Sequence, residues 1–280
     1  NRVVALKQTR KRSSKDPAAQ AQLLFEAEIT ANLEHPGVVP VYDLGRFANG
    51  RGYFTMRLIR GDNLRNAIRW AHELTDGDER DAAIQRLLDR LIDVCYTISH
   101  AHNLGVMHRD LTPRNVMLGR HGETLVVDWG LAKLINRPPA DPDDTLRPPD
   151  LKPSMLDDLE ATKTGWSVGT PRYMSPEQAA GRHDQVGPAT DIFGLGAILY
   201  TILTGRSPYD GASDEEVEDQ ARGRDLIPPR QWDPSISEGL EDLCLKAMAV
   251  EPADRFQTPL ELGDGLAQIL RDISMSTVSF

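Results

Sequence analysis

The chain has 280 residues, 40% of them apolar and 26% charged, with a formal net charge of −10. That length is enough to bury a sizeable core, and the acidic balance speaks against nucleic acid or an anionic membrane as partner, since both need a clustered basic face. The longest apolar stretch, FGLGAILYTIL, is too short to span a bilayer, and Cys95 and Cys244, set in apolar helical patterns, read as buried thiols of a reducing cytosol.

In chain order, Val3 to Leu6 predicts a short buried strand ending at Lys7, and the basic run after it, KQTRKRSSK, reads as a solvated loop. Leu23, Leu24, Ala27, Ala31 and Leu33 recur at helical spacing, so a helix is expected from Ala18 to Glu34, stopped by Pro36. VVPVYDLGRF and GYFTMRLI, separated by ANGR, predict a hairpin. After Gly61 the texture turns helical. Ile84, Leu87, Leu88, Leu91, Ile92, Cys95 and Ile98 line one face of a long amphipathic helix over Asp78 to Asn103.

NVMLG and TLVVDWG predict a second hairpin around RHGE. Helices are expected over Thr190 to Leu203, Asp214 to Arg222, Glu238 to Val250 and Pro259 to Ile273, with capping boxes at Ser213/Glu216 and Thr258/Glu261. Between hairpin and helices, residues 137–161 are rich in proline and acid and lack an apolar period, which predicts a long loop insertion, disordered in isolation. The stretch HRDLTPRNVML sets charged residues directly before an apolar run. Buried charge is costly unless paired or bound to metal, so the cluster points to a site that handles phosphate and metal.

Taken in order, VALK, HRDLTPRN, DWG, SVGTPRYMSPE and DIFGLG resemble the protein kinase signature set, with Asp128 eighteen residues after Asp110. EITANLEHPGVVPVYDLGR, MRLIRGDNL and VVDWGLAK look especially like bacterial serine/threonine kinases of the planctomycete type. The resemblance covers essentially the whole chain. It implies an α+β, two-lobed fold: a small antiparallel-sheet lobe with the hinge over 1–60, a large helical lobe over 61–273, and the start of a linker over 274–280. The activation segment would run over 128–177. Family members open with two strands and a glycine-rich loop over the ATP phosphates; none precedes Lys7, so the chain is expected to be truncated before that strand.

The resemblance also implies roles. Lys7 would hold the α- and β-phosphates, paired with a glutamate of the first helix. Both Glu26 and Glu28 are available; counting back from His35 and Pro36 selects Glu26, and Glu28 would project roughly 200° away. Asp110 would orient the substrate hydroxyl and take its proton, with Asn115 and Asp128 as magnesium ligands for ATP and Mg2+, Mn2+ being a substitute. Met56 matches the gatekeeper of the adenine pocket, and Arg57, Leu58 and Ile59 begin the hinge. Two departures stand out. Thr112 occupies the position of the usual lysine, and Arg114 either supplies that charge or faces solvent; Trp129 replaces the usual Phe, a bulkier apolar plug that is tolerated if its indole N–H finds a partner.

Thr170 is expected to bond Asp110, Glu177 to pair with Arg255, and Asp191 to anchor the catalytic-loop backbone. Arg109 would bind a phosphorylated activation loop, with Thr162 and Thr164 as autophosphorylation sites, the bland alternative being two ordinary loop threonines. The implied partners are protein substrates, ATP and a transient kinase homodimer, with no membrane contact by this segment. The implied setting is cytoplasmic, including as the cytoplasmic domain of a longer membrane-anchored protein. The rival readings are a pseudokinase scaffold, against which the intact Lys7, Asp110, Asn115 and Asp128 speak, and a small-molecule phosphotransferase, which has little use for GTPRYMSPE.

Overall fold

The computed structural model describes residues 2–9, 16–135, 169–223 and 226–277. The insertion expected at 137–161, with Thr162 and Thr164, lies outside the described residues. Strands β1 (Val4–Gln8), β2 (Val41–Arg46) and β3 (Gly52–Arg57) form an antiparallel sheet in the order β1-β3-β2, the last two being the expected hairpin. Helix α1 (Pro17–Asn32) covers one face, where Leu23 and Ala27 pack with Phe54. Asp16 caps its start by accepting the Ala18 N–H at 3.0 Å, ahead of Pro17 in the first turn. The helix ends before Pro36 is reached: the Leu33 N–H bonds Ile29 O and closes the last turn.

The buried strand expected to start at Val3 and end at Lys7 is instead a half-exposed edge strand, one residue later at each of its ends. Val4 and Leu6 stand 36% and 46% exposed because α1 covers only the other face. The alternation of a strand gives that covered face to Ala5 and Lys7, so Lys7 lies inside the strand and turns toward α1. This is what lets a cation at a sheet edge reach a helix carboxylate.

Strand β4 (Gly61–Asn63) leads directly into helix α2 (Leu64–Glu73), an element the sequence reading passed over. Asn63 accepts the Asn66 N–H at 3.0 Å as its cap, while Leu64, Ile68 and Ala71 supply the buried stripe. Helix α3 (Gly77–Asn103) then crosses the large core, capped by Asp76. Strands β5 (Val106–Met107) and β8 (Lys133–Leu134) pair, and β6 (Val116–Gly119) with β7 (Thr124–Val126) forms the second expected hairpin, to which β4 adds a third strand. The Val126 N–H reaches Gly37 O at 2.8 Å and ties this hairpin to the segment after α1.

Downstream come the short α4 (Pro176–Ala179), then α5 (Pro188–Thr204), α6 (Asp214–Gly223), α7 (Pro229–Trp232), α8 (Glu238–Ala247) and α9 (Pro259–Thr277). Every residue of α5 from Thr190 to Leu203 is buried, because α3, α8 and α9 surround it. It shows no polar face for that reason. Among the described residues no helix is long and apolar enough to cross a membrane. Gly194 of α5 is a close approach: a Cβ there would lie 2.9 Å from Leu111 Cβ. Glycine therefore lets the core helix touch the loop that carries Asp110.

Candidate active site

Four carriers converge on one cleft: β1, α1 and the two loops that flank the β6–β7 hairpin. The Lys7 ammonium donates to Glu26 Oε1 at 2.5 Å and to Asp128 Oδ1 at 2.8 Å. Burial opposes the charged form of Lys7, but the two carboxylates outweigh it and hold the ammonium's pKa above its usual range. Glu26 is buried, and its selection over Glu28 agrees with this contact. The Gln22 side chain donates to Gly130 O, so α1 also grips the chain just beyond Asp128.

Asp110 is surrounded by donors. Its Oδ1 accepts both the N–H and the hydroxyl of Thr170 at 2.9 Å, and its Oδ2 accepts Asn115 Nδ2 at 3.1 Å. Asn115 Nδ2 also donates to Asp110 O at 2.8 Å. That spends the amide nitrogen and leaves the Asn115 carbonyl oxygen as an acceptor. The Val127 N–H to Asn115 O bond, 2.9 Å, continues the β6–β7 pairing by one step and so fixes Asn115 beside the residue preceding Asp128. Asp128 and Arg109 are the two non-glycine residues with left-handed backbones among the described residues, with φ of 68° and 69°. Such conformations occur where surrounding structure over-determines them, and they flank this site.

The support beneath is buried. Asp191, fully enclosed at the start of α5, accepts the N–H groups of His108 at 2.8 Å and Arg109 at 2.7 Å, plus His102 Nε2 at 2.8 Å. Burial would raise its pKa, but the His102 contact, the two histidines and the Arg109 N–H hold it below the usual range. Gln178 Nε2 donates to Arg109 O at 2.9 Å. Glu177 and Arg255 form a bidentate pair at 2.7 and 2.8 Å with side chains 1% and 0% exposed. The guanidinium also donates to Ala249 O, Ala189 O and Val250 O.

Among the remaining expected residues, Met56 packs on the Leu23, Ala27 and Phe54 cluster at the end of β3, and Arg57 pairs with Glu123. Leu58 is exposed and Ile59 half-buried in the segment that follows. Arg114 is exposed and lines a large cavity beside Thr170, while Thr112 is buried. Arg109 Nε is buried without a hydrogen-bond partner among the described residues, and burial lowers the guanidinium's pKa. One expectation needs correction. Trp129 is fully buried with its ring 4.7 Å from His108 and tilted 60° to it, yet its indole N–H meets no acceptor among the described residues.

Sequence reasoning missed His102 and Gln178. Both act on backbone or carboxylate partners far along the chain, and only the basic last turn of α3 hinted at the first.

A family model described as "Protein kinase domain" matches residues 1–262. Among curated relatives, the chain is 33% identical over 272 residues to "Serine/threonine-protein kinase PknB" of Mycobacterium leprae, covering 96% of this chain and 39% of that one. It is 32% identical over 267 residues to "Serine/threonine-protein kinase PknD" of Protochlamydia amoebophila, covering 93% of this chain and 26% of that one. A PknD of Chlamydia trachomatis is 34% identical over 283 residues, covering 97% and 29%. The chain thus spans well under half the length of the curated relatives it matches.

Proposed function

The chain belongs to the protein kinase domain family, a family that generally uses ATP and Mg2+ on protein substrates, and we propose that it transfers the γ-phosphoryl group of ATP to serine or threonine hydroxyls. The observation that carries this reading is the loading of Asp110, whose carboxylate is oriented by Thr170 and Asn115 and has no salt-bridge partner among the described residues. A carboxylate so held can align an incoming hydroxyl and accept its proton as the oxygen attacks phosphorus and ADP departs. Lys7, pre-positioned by Glu26, supplies a fixed positive charge for the phosphate oxygens of ATP.

The donor set fits a hard cation. Asp128 offers a second carboxylate oxygen beyond the one bonded to Lys7, and Asn115 offers its carbonyl oxygen. Magnesium bound there would offset charge on the phosphates. Met56 with the main chain from Arg57 to Ile59 would take the adenine ring. Arg114, exposed beside Thr170, would add positive charge near the acceptor. Arg109, whose buried Nε has no hydrogen-bond partner among the described residues, would receive a phosphate carried on Thr162 or Thr164.

The test is incubation with Mg-ATP and mapping of phosphosites by mass spectrometry, beside Asp110→Asn. Transfer should fall about 10²- to 10⁴-fold in the variant, the range for losing a positioned general base, with ATP binding retained. Equal phosphate in both samples, or none in either despite ATP binding, would overturn the reading in favour of a scaffold.

A further inference from the structure

A cavity of about 1000 Å3 opens beside Thr170. Thr170 lines it while its hydroxyl bonds the Asp110 carboxylate, so whatever fills the cavity lies next to an accepted hydroxyl. Its wall brings together Arg65 and Arg69 of α2, Arg114, Arg172 and Arg206, against Asp210 and Asp214 only. That local excess of positive charge sits in a chain whose formal charge is −10.

The arginines are not all spent. Arg172 is paired with Asp210, and Arg69 reaches Glu73 at 3.9 Å. Arg206 lies over the Trp232 ring at 4.2 Å, which leaves its edge N–H groups available. Arg65 and Arg114 are exposed and have no ion-pair partner among the described residues. Their convergence is visible at Tyr173: burial pushes its hydroxyl pKa up, and the charges of Arg65, Arg172 and Arg114 all pull against that push. Guanidinium forks without carboxylates, gathered at a concave surface, recognise carboxylate or phosphate oxygens.

We propose that this cavity selects protein segments carrying anionic side chains, carboxylate or phosphate, close to the hydroxyl presented to Asp110. This rests on the kinase reading, in which the hydroxyl at Asp110 is the phosphate acceptor. It makes the arginine wall a specificity determinant: the net negative charge of the chain disfavours acidic segments, and the cavity offers them a local positive surface.

The experiment uses the 280-residue chain and fluorescent serine peptides in matched sets, flanked by aspartate, phosphoserine or lysine. Binding is read by anisotropy at low and high salt, and phosphoryl transfer is followed separately. Each anionic residue should strengthen binding about two- to fivefold, the range of exposed ion pairs, and the preference should shrink with salt. Arg65→Glu with Arg69→Glu, both at exposed positions of α2, should abolish or invert the order. Tighter binding of phosphoserine than aspartate assigns the cavity to phosphate, and equal binding assigns it to carboxylate. Equal binding of acidic and lysine-flanked peptides, or a preference untouched by the double variant, overturns the proposal. Selective binding without transfer to any peptide would overturn the kinase reading and leave the anion-selective cavity standing.

Discussion

Replacing Arg255 by methionine tests the buried pair under the activation segment. Methionine roughly keeps the unbranched volume but removes the charge and every donor. Glu177 would remain 1% exposed with its Thr190 hydroxyl bond and no cation, and three carbonyls would lose the guanidinium. Breaking one side of such a pair costs about 3–5 kcal/mol. The pH dependence separates charge from lost hydrogen bonds. In the native protein Arg255 outweighs burial and holds the Glu177 pKa below the usual carboxylate range. Its stabilisation is therefore fully present above the unfolded pKa and is lost only as pH falls through the depressed folded value.

In Arg255→Met the sign reverses. Burial now acts alone, the folded pKa of Glu177 rises above the unfolded one, and the penalty is relieved as pH falls. Between about pH 7 and about pH 5 the gap to the native protein should narrow by up to ~2.7 kcal/mol, at ~1.36 kcal/mol per pH unit. Urea titrations followed by far-ultraviolet circular dichroism and tryptophan fluorescence at the two pH values give both numbers. A penalty under about 1 kcal/mol, or one that does not change with pH, would refute the claim that this pair is desolvated and ionised.

Trp129→Phe removes an indole N–H that has no acceptor among the described residues and leaves a small void; the two effects oppose, so stability should change by no more than about 1 kcal/mol, and a loss near 3 kcal/mol in thermal unfolding would show that the N–H is satisfied. Asp191→Asn turns one acceptor oxygen into a donor facing the N–H groups of His108 and Arg109, which should cost about 1–3 kcal/mol and depress phosphoryl transfer with it; unchanged transfer would sever the link between that anchor and Asp110. Cys95 and Cys244 are fully buried and burial raises both thiol pKa values, so iodoacetamide should label neither in the native protein and both in denaturant, by mass spectrometry. Labelling of either thiol at the native rate of free cysteine would contradict that packing.

Residues that act through short chain separations were legible before the fold was known. Asn115 and Asp128 sit at the two ends of a hairpin whose pattern is local, and the strand alternation in VALKQ already sets Lys7 opposite Leu6. What the pattern could not say was whether either face of β1 is covered, so an apolar run was read as buried when Leu6 is 46% exposed. Helix α2 escaped because it spans only Leu64–Glu73, and its cap at Asn63 lies in a segment that also reads as a turn. His102 and Gln178 find partners 89 and 69 residues away, and no periodicity encodes such distances. The arginine cavity is assembled from four separated stretches, each unremarkable alone.

Asp191 holds the loop by its main chain, at His108 and Arg109, and not by any side chain that takes part in the chemistry. The position of Asp110 is therefore indexed to α5, whose buried run extends from Thr190 to Leu203. Asp128 belongs to the same frame, because the Val127 N–H bonds Asn115 O and the Asn115 amide in turn bonds Asp110. Lys7 alone reaches Asp128 from the half-exposed sheet, so a tilt of that sheet would carry the lysine and leave the two acids in register, like a latch that swings against a fixed plate.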